Sequence, residues 1–460
     1  LSPAARWPDA PIAADELILV TDLYQLTMLQ TYFEHGRQEN TVFEFFFRDL
    51  PPSRNFLVFA GLGTVLNHLE RLRFGPRALA LLEGTGRFKP AFLEYLADWR
   101  FAGEIWAVPE GTPVFAHEPV LQVSAPLPQA QLIETLLINQ LHFQTLIASK
   151  AARVVLAARG RTVVDFGLRR AHGLDAGMKA ARAAFIAGAQ STSNVLAGLR
   201  YGIPISGTMA HSAVQAFGDD LATFRAFAAT DPQTVCLVDT FDTLAGVEAV
   251  IRLKTELGAD FRVRGIRIDS GDIAELARAA RAKLDAAGLE AVEIFASGGM
   301  DEYEIERILA AAAPVDGFGV GTNMDVSLDA PTVDCAYKLV EYGGQGRIKL
   351  SAGKRSVPGR KQVFRVADAA GGIAGDTVAA LGETLPGQPL LRPVMRDGRV
   401  LPDAAPALPE LQAHCRAAVA ALPPALRALD PAAAYPVQLS AQLLARLEET
   451  SARIRGRLRG

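Results

Sequence analysis

Cysteine is scarce in this chain: three residues in 460, Cys236, Cys335 and Cys415, far apart and odd in number. That excludes a disulfide framework and a cysteine-based zinc knuckle, and it fits a reducing compartment. Histidine offers no substitute ligand set. His35, His68, His117, His142, His172, His211 and His414 show neither HxH nor HExxH spacing, so structural or catalytic zinc is not expected. No apolar run approaches the roughly 20 residues that span a bilayer. The opening stretch LSPAARWPDAPIAADELI lacks the basic-then-apolar order of a signal peptide. An excess of positive charge is missing too: the formal net charge is −3, whereas a nucleic-acid or membrane-surface binder leaves a basic footprint. Half the residues are hydrophobic and 21% charged, the balance of a soluble globular chain. A length of 460 residues exceeds one compact core. The expectation is a cytoplasmic, multi-domain protein with no nucleic acid and no membrane among its partners.

What is present is an alternation. Residues 129–158 keep apolar side chains at helical spacing without Gly or Pro, as one long helix or two abutting ones. Short β-rich runs follow: RTVVDFG (161–167), GIPISGT (202–208), TVCLVDT (234–240), RGIRIDS (264–270), VEIFASG (292–298) and VDGFGVG (315–321). Ala-rich helical segments such as TLAGVEAVIRLKTEL and IAELARAARAKLDAAG separate them. This order implies parallel strands with crossover helices. No GxGxxG follows a strand, which disfavours a dinucleotide-binding open sheet. Asp165, Thr208 with His211, Asp239, Asp269, Ser297 and Gly321 all fall at or just beyond the ends of successive runs. In a barrel those ends converge on the face where active sites are built.

The fold class expected is therefore α/β: an irregular or incomplete parallel β/α barrel plus a smaller α+β domain formed from both chain ends. Residues 1–128 supply the first part of the α+β domain, 129–332 the barrel-like catalytic domain, and 333–460 the returning strands and a helical tail. Within the flanks, NTVFEFFFRDLP (40–51) and residues 103–123 read as strands, and 333–366 returns to strand-like alternation. The Gly-, Pro- and Ala-rich stretch 370–410 reads as loops.

The motifs suggest anion chemistry. In DFGLRRAHG (165–173), Arg169 and Arg170 follow a strand end, where planar guanidinium forks can hold phosphate or carboxylate. They can equally be an exposed loop pair. In IRIDSGD (266–272), Arg267 and Asp269 alternate with isoleucines and share one face of the strand. They serve either a site or a structural ion pair, while Ser270 or Asp272 is placed to cap the next helix. SGGM (297–300) and GFGVGTN (317–323) are glycine turns after the last two strands. Exposed backbone N–H groups there form an anion-binding concavity. In LVDTFDT (237–243) Asp239 suits a magnesium or ribose-hydroxyl contact and Asp242 a helix cap. In TDLYQLTM (21–28), Thr21 or Asp22 caps a helix whose Leu23, Leu26 and Thr27 face inward. Spacing alone makes Tyr24 an ordinary core residue. His211 in GTMAHS is either a bonded core histidine or a reacting group at the rim.

Taken in order, TDLYQLTM, FEFFFRDLP, DFGLRRAHG, STSNVLAG, GIPISGTMAHS, LVDTFDTL, IRIDSGD, FASGGM, GFGVGTNM and YKLVE…PGRKQVFR resemble the nicotinate phosphoribosyltransferase family across nearly the whole chain. The resemblance implies transfer of phosphoribose from phosphoribosyl pyrophosphate to nicotinic acid, coupled to ATP hydrolysis, with Mg²⁺, in NAD synthesis. It places Asp239 and Asp269 near the ribose or its metal, and Arg169, Ser297, Gly298, Gly321 and Thr322 on the phosphates. Phe166 and Tyr24 are implied for the ring, Tyr24 from a neighbouring subunit of a homodimer with shared active sites. Thr208 and Arg267 are implied for the nicotinate, His211 as a phosphohistidine, and Ser212 as a neighbouring phosphate contact. The rival is nicotinamide phosphoribosyltransferase. That family tends to carry a serine after TD and a Gly-Tyr-Arg-Gly pattern where this chain has GLRRA. Quinolinate phosphoribosyltransferase is much shorter, and a non-catalytic barrel that binds a phosphorylated ligand has no need of His211 with two strand-end carboxylates.

Overall fold

The structure is a computed structural model that describes residues 12–350, 356–369 and 371–459. The chain start through residue 11, and positions 351–355 of the returning strand region, lie outside the described residues. Six parallel strands run in the order Ser191–Thr192, Thr162–Asp165, Gly317–Val320, Glu293–Ala296, Gly265–Ile268, Val235–Leu237. Gly317–Val320 pairs with Thr162–Asp165, so the sheet curls until its last strand meets its first. It does not close: a seam remains between Val235–Leu237 and Ser191–Thr192. The incomplete barrel is as expected, but its membership differs. The 202–208 run is not a strand; its sheet contact is a single bridge from Ile205 to Thr192. Pro204 can accept from Thr192 N but has no N–H to return. The two-residue strand Ser191–Thr192 takes its place in the sheet.

Burial follows the side-chain alternation. Ile266, Ile268, Ile294, Ala296, Phe318 and Val320 are fully buried, while Arg267 and Asp269 point the other way, into the barrel mouth. The crossover helix Thr243–Leu257 packs Val247, Val250 and Leu253 into the same core. Asp242 caps it by accepting from Ala245 N at 2.8 Å, and Asp272 caps Ile273–Ala286 through Ala274 N and Glu275 N.

The 129–158 segment resolves into two helices, Leu127–Leu132 and Glu134–Ala157. Leu137 and Leu141 of the longer one enter a second core, and Ile147, Ala151 and Val154 enter the barrel core, so this helix ties the two together. The second core lies under a seven-stranded antiparallel sheet. Asn40–Asp49, Pro119–Pro126 and Glu104–Ala107 from one chain end form its centre, flanked by Asp334–Tyr342 on one side and Arg392–Arg396 on the other. Phe43 stacks on Tyr337 with ring centroids 4.8 Å apart, a cross-strand aromatic pair that pins the register.

Two local expectations are corrected. Residues 370–410 hold the strands Ile373–Ala380, Gln388–Pro389, Arg392–Arg396 and Arg399–Val400 rather than loops alone. On the helix Leu23–Glu34, the buried face is Gln25, Leu26 and Leu29, while Leu23 and Thr27 are exposed. Leu26 faces inward as expected, but Leu23, Tyr24 and Thr27 lie on the exposed side of this turn, and Tyr24 is not a core residue.

Candidate active site

At the C-terminal ends of the barrel strands lies a cavity of about 460 Å³. Phe166, Arg169, Thr208 and His211 line it from the first loops, and Arg267, Asp269, Ser297 and Gly298 from the middle strands. Gly321 and Thr322 complete it from the last turn. Every residue the family resemblance assigns to the site is here except Tyr24, Ser212 and Asp239.

Arg267 is held by the 208–209 loop, which lines the same cavity. Its Nη1 donates to Thr208 Oγ1 and its Nη2 to Met209 O at 3.1 Å, while Nε is buried without a partner. Arg267 and Asp269 form no ion pair; Arg267 spends its donors on the 208–209 loop. Burial lowers the Arg267 guanidinium below its ordinary range, with Asp269 and Asp239 opposing that and Arg169 adding to it.

Asp269 sits between two partners. Ser297 Oγ donates to its Oδ1, and its Oδ2 lies 3.7 Å from His211 Nε2. On the other edge of the imidazole, Nδ1 is 3.1 Å from Thr240 Oγ1. Thr240 thus orients His211 through Nδ1, while Nε2 lies near Asp269 beyond hydrogen-bond distance. Asp239 stands one layer behind: its Oδ2 accepts from Asp269 N at 2.9 Å and Ser270 Oγ at 2.6 Å, and its Oδ1 is buried without a partner. The Phe166 ring packs closely against the Gly319 backbone: a Cβ on Gly319 would stand 2.5 Å from two of its carbons.

Guanidiniums outnumber carboxylates in the lining: Arg169, Arg170 and Arg267 against Asp269. That imbalance makes the cavity an anion receptor. Among the described residues no group of three or more His, Cys, Asp or Glu side chains is arranged to hold a metal.

Residues 19–142 match the nicotinate phosphoribosyltransferase N-terminal domain, 162–354 the nicotinate phosphoribosyltransferase family, and 383–446 the C-terminal domain of the same enzymes. The chain belongs to the nicotinate phosphoribosyltransferase family. It is 54% identical over 430 residues to nicotinate phosphoribosyltransferase pncB2 of Mycobacterium tuberculosis, covering 93% of each chain. To the nicotinate phosphoribosyltransferase of Bacillus subtilis it is 41% identical over 387 residues, 82% of this chain and 79% of that one. The crystal structure of human nicotinic acid phosphoribosyltransferase superposes with a TM-score of 0.81 at 30% identity, covering 93% of this chain and 99% of that chain.

In this family member the other expected residues lie elsewhere. Tyr24 is 50% exposed and lies on a second cavity, beside Glu134 and His142. Ser212 is exposed on the first turn of His211–Phe217 and does not line the main cavity. Asp165, expected at the barrel rim, is buried beneath it, accepting from Thr192 Oγ1 at 2.6 Å and Gly167 N at 2.8 Å.

Three contributors were not singled out from the motifs. Thr240 orients His211 and directly follows Asp239, so the step past the strand end would have found it. Asn323 donates to Gly299 O at 2.9 Å and Met300 O at 3.2 Å, tying the two glycine turns together. Ser193 lines the cavity just after the two-residue strand, which alternation alone does not reveal.

Proposed function

We propose that this chain is a nicotinate phosphoribosyltransferase that joins nicotinic acid to the phosphoribosyl group of phosphoribosyl pyrophosphate, with ATP cleaved at His211. The nicotinate ring nitrogen donates its lone pair to C1 of the ribose. The C1–oxygen bond breaks, and pyrophosphate leaves with that electron pair. The observation that carries this reading is the make-up of one cavity. An oriented guanidinium for a carboxylate, an aromatic ring, a single carboxylate and two glycine turns share about 460 Å³.

Each part has a role. Arg267, held by Thr208, offers charge-assisted donors to the nicotinate carboxylate, and Phe166 offers its face to the flat ring. Arg169, Ser297, Gly298, Gly321 and Thr322 take phosphate oxygens, so negative charge developing on the leaving group meets fixed donors. Asp269 sits where positive character develops on the ribose, and Asp239 fixes the Asp269 backbone. With the Nδ1 proton on the Thr240 side, His211 Nε2 keeps its lone pair towards the cavity. It attacks the terminal phosphorus of ATP, ADP departs, and water later releases the phosphate. Ser212, one residue on, is the expected neighbour of that phosphate.

The donor set fits Mg²⁺, which takes one or two carboxylates together with substrate phosphates. Asp269 in the cavity, with the partnerless Oδ1 of Asp239 behind it, would hold the ion. Bound there it would neutralise pyrophosphate charge.

Shared active sites in a homodimer account for Tyr24, which this chain exposes and does not bring to its own main cavity. Purified protein supplied with nicotinate, phosphoribosyl pyrophosphate, Mg²⁺ and ATP should form nicotinate mononucleotide and pyrophosphate. Mixing inactive Tyr24→Ala and Asp269→Ala protomers should restore roughly a quarter of wild-type activity, since about half of reassorted dimers then hold one intact site. No recovery on mixing would place the whole site within one chain.

No helix among the described residues is long and apolar enough to cross a membrane. The cytoplasmic location inferred from the scarcity of cysteine belongs to this same reading.

A further inference from the structure

Beneath the cavity floor two buried carboxyls meet. Asp165 ends the strand that leads into Phe166, and Asp325 ends the short helix Thr322–Asp325 that follows the Gly321 turn. Each is 1% exposed. Each Asp165 oxygen accepts one hydrogen bond, Oδ2 from Thr192 Oγ1 and Oδ1 from Gly167 N, so although burial raises this carboxyl above its ordinary range, it is the better placed of the two to carry the negative charge. Neither Asp325 oxygen receives a hydrogen bond from any N–H or O–H donor; its contact is the Asp165 carboxyl itself. Gly167 fits against this group so closely that a Cβ there would stand 2.1 Å from Asp325 Cγ.

We propose that Asp325 holds a proton and donates it to ionised Asp165, and that this carboxyl pair positions the Phe166–Arg170 turn against the Gly321–Asn323 turn. The pair is a positioning device, since neither carboxyl lines the cavity. Two like charges this close and this deep cannot both ionise. A shared proton also leaves one negative charge rather than two beneath the turn assigned to phosphates.

No cation from the packed elements takes the place of that proton. Lys150 and Arg153 on Glu134–Ala157 pair with Glu302, and Lys150 also with Asp329. On Leu174–Ile186, Lys179 pairs with Asp175 and Arg182 with Glu110. Arg169 and Arg170 turn towards the cavity.

Burial pushes the Asp325 carboxyl well above its ordinary range, and the Asp165 charge pushes it further. The folded chain therefore keeps a proton that the unfolded chain releases above a pH of about 3.9. The stabilisation is complete below that unfolded value and is lost as pH rises through the folded one.

The test compares wild type with D325N and D325A, by thermal unfolding from about pH 5 to about pH 9 and by kcat and KM for both substrates. The side-chain amide of D325N donates to Asp165 at every pH. Its melting temperature should therefore gain on wild type steadily as pH rises. D325A should lower kcat/KM by about 10-fold or more, the scale of a misplaced wall. D325N should recover to within about 3-fold of wild type because it keeps the donor. Parallel pH slopes for D325N and wild type would overturn the pair, as would wild-type kinetics in D325A. If D325A does not fold, the D325N slope decides alone. The kinetic arm rests on the transferase reading and the melting arm does not, so failure of one is distinguishable from failure of the other.

Discussion

His211→Ala is expected to abolish the ATP-dependent part of mononucleotide formation while leaving slow, ATP-independent transfer. Thr240 lies 3.1 Å from Nδ1, and Nε2, 3.7 Å from Asp269 Oδ2, makes no hydrogen bond, so with the proton on Nδ1 the Nε2 lone pair is available for attack. Phosphorylation there would add close to two negative charges beside the glycine turns and reorganise the groups that face them. A phosphoryl group on Nε2 would stand beside Asp269, whose Oδ1 accepts from Ser297 Oγ, so ATP cleavage would be felt at the phosphate subsite through these two side chains. With saturating ATP, the variant should fall about 10²-fold in kcat/KM, the scale for losing one positioned reacting group. The direct readout is phosphate on the protein: wild type should take up one acid-labile phosphate per site from ATP and the variant none. Unchanged ATP stimulation in the variant would contradict the role.

Arg267→Ala carries the larger expected loss, about 10³-fold in kcat/KM for nicotinate, because a site built around a hydrogen-bonded charge discriminates strongly. Arg267→Lys should not restore it. The guanidinium reaches Thr208 and Met209 with two nitrogens and still presents N–H groups to the cavity, which a single ammonium cannot do. The loss should fall mainly on KM, since the carboxylate is bound in ground and transition states alike. A decrease of less than about 3-fold would remove Arg267 from acceptor recognition.

Much of this site is legible in the amino-acid order because barrel chemistry collects at strand ends. The isoleucine alternation at 266–268 orients Arg267 and Asp269, and the helix over 243–257 announces itself by its apolar spacing and Asp242 cap. What escapes is short or tertiary. Ser191–Thr192 is two residues long, too brief for any period. Residues 202–208 carry a strand's composition, but Pro204 and a single partner leave them one bridge. The 370–410 stretch is rich in Gly and Pro because its strands are short and its turns many. Asp397 and Gly398, at φ 50° and 70°, form the two-residue turn between Arg392–Arg396 and Arg399–Val400, and Asp-Gly is a hairpin signal in its own right. Asp165 reads as a rim carboxylate by position alone. Only the packing of Asp325 against Gly167 shows that it faces the interior.

The most direct measurement supplies nicotinate and nicotinamide side by side, each with phosphoribosyl pyrophosphate, Mg²⁺ and ATP, and compares kcat/KM for mononucleotide formation. An acceptor site organised by Arg267 for a carboxylate predicts a preference for nicotinate of about 10²-fold or more. Nicotinamide serving equally well, or better, would contradict it.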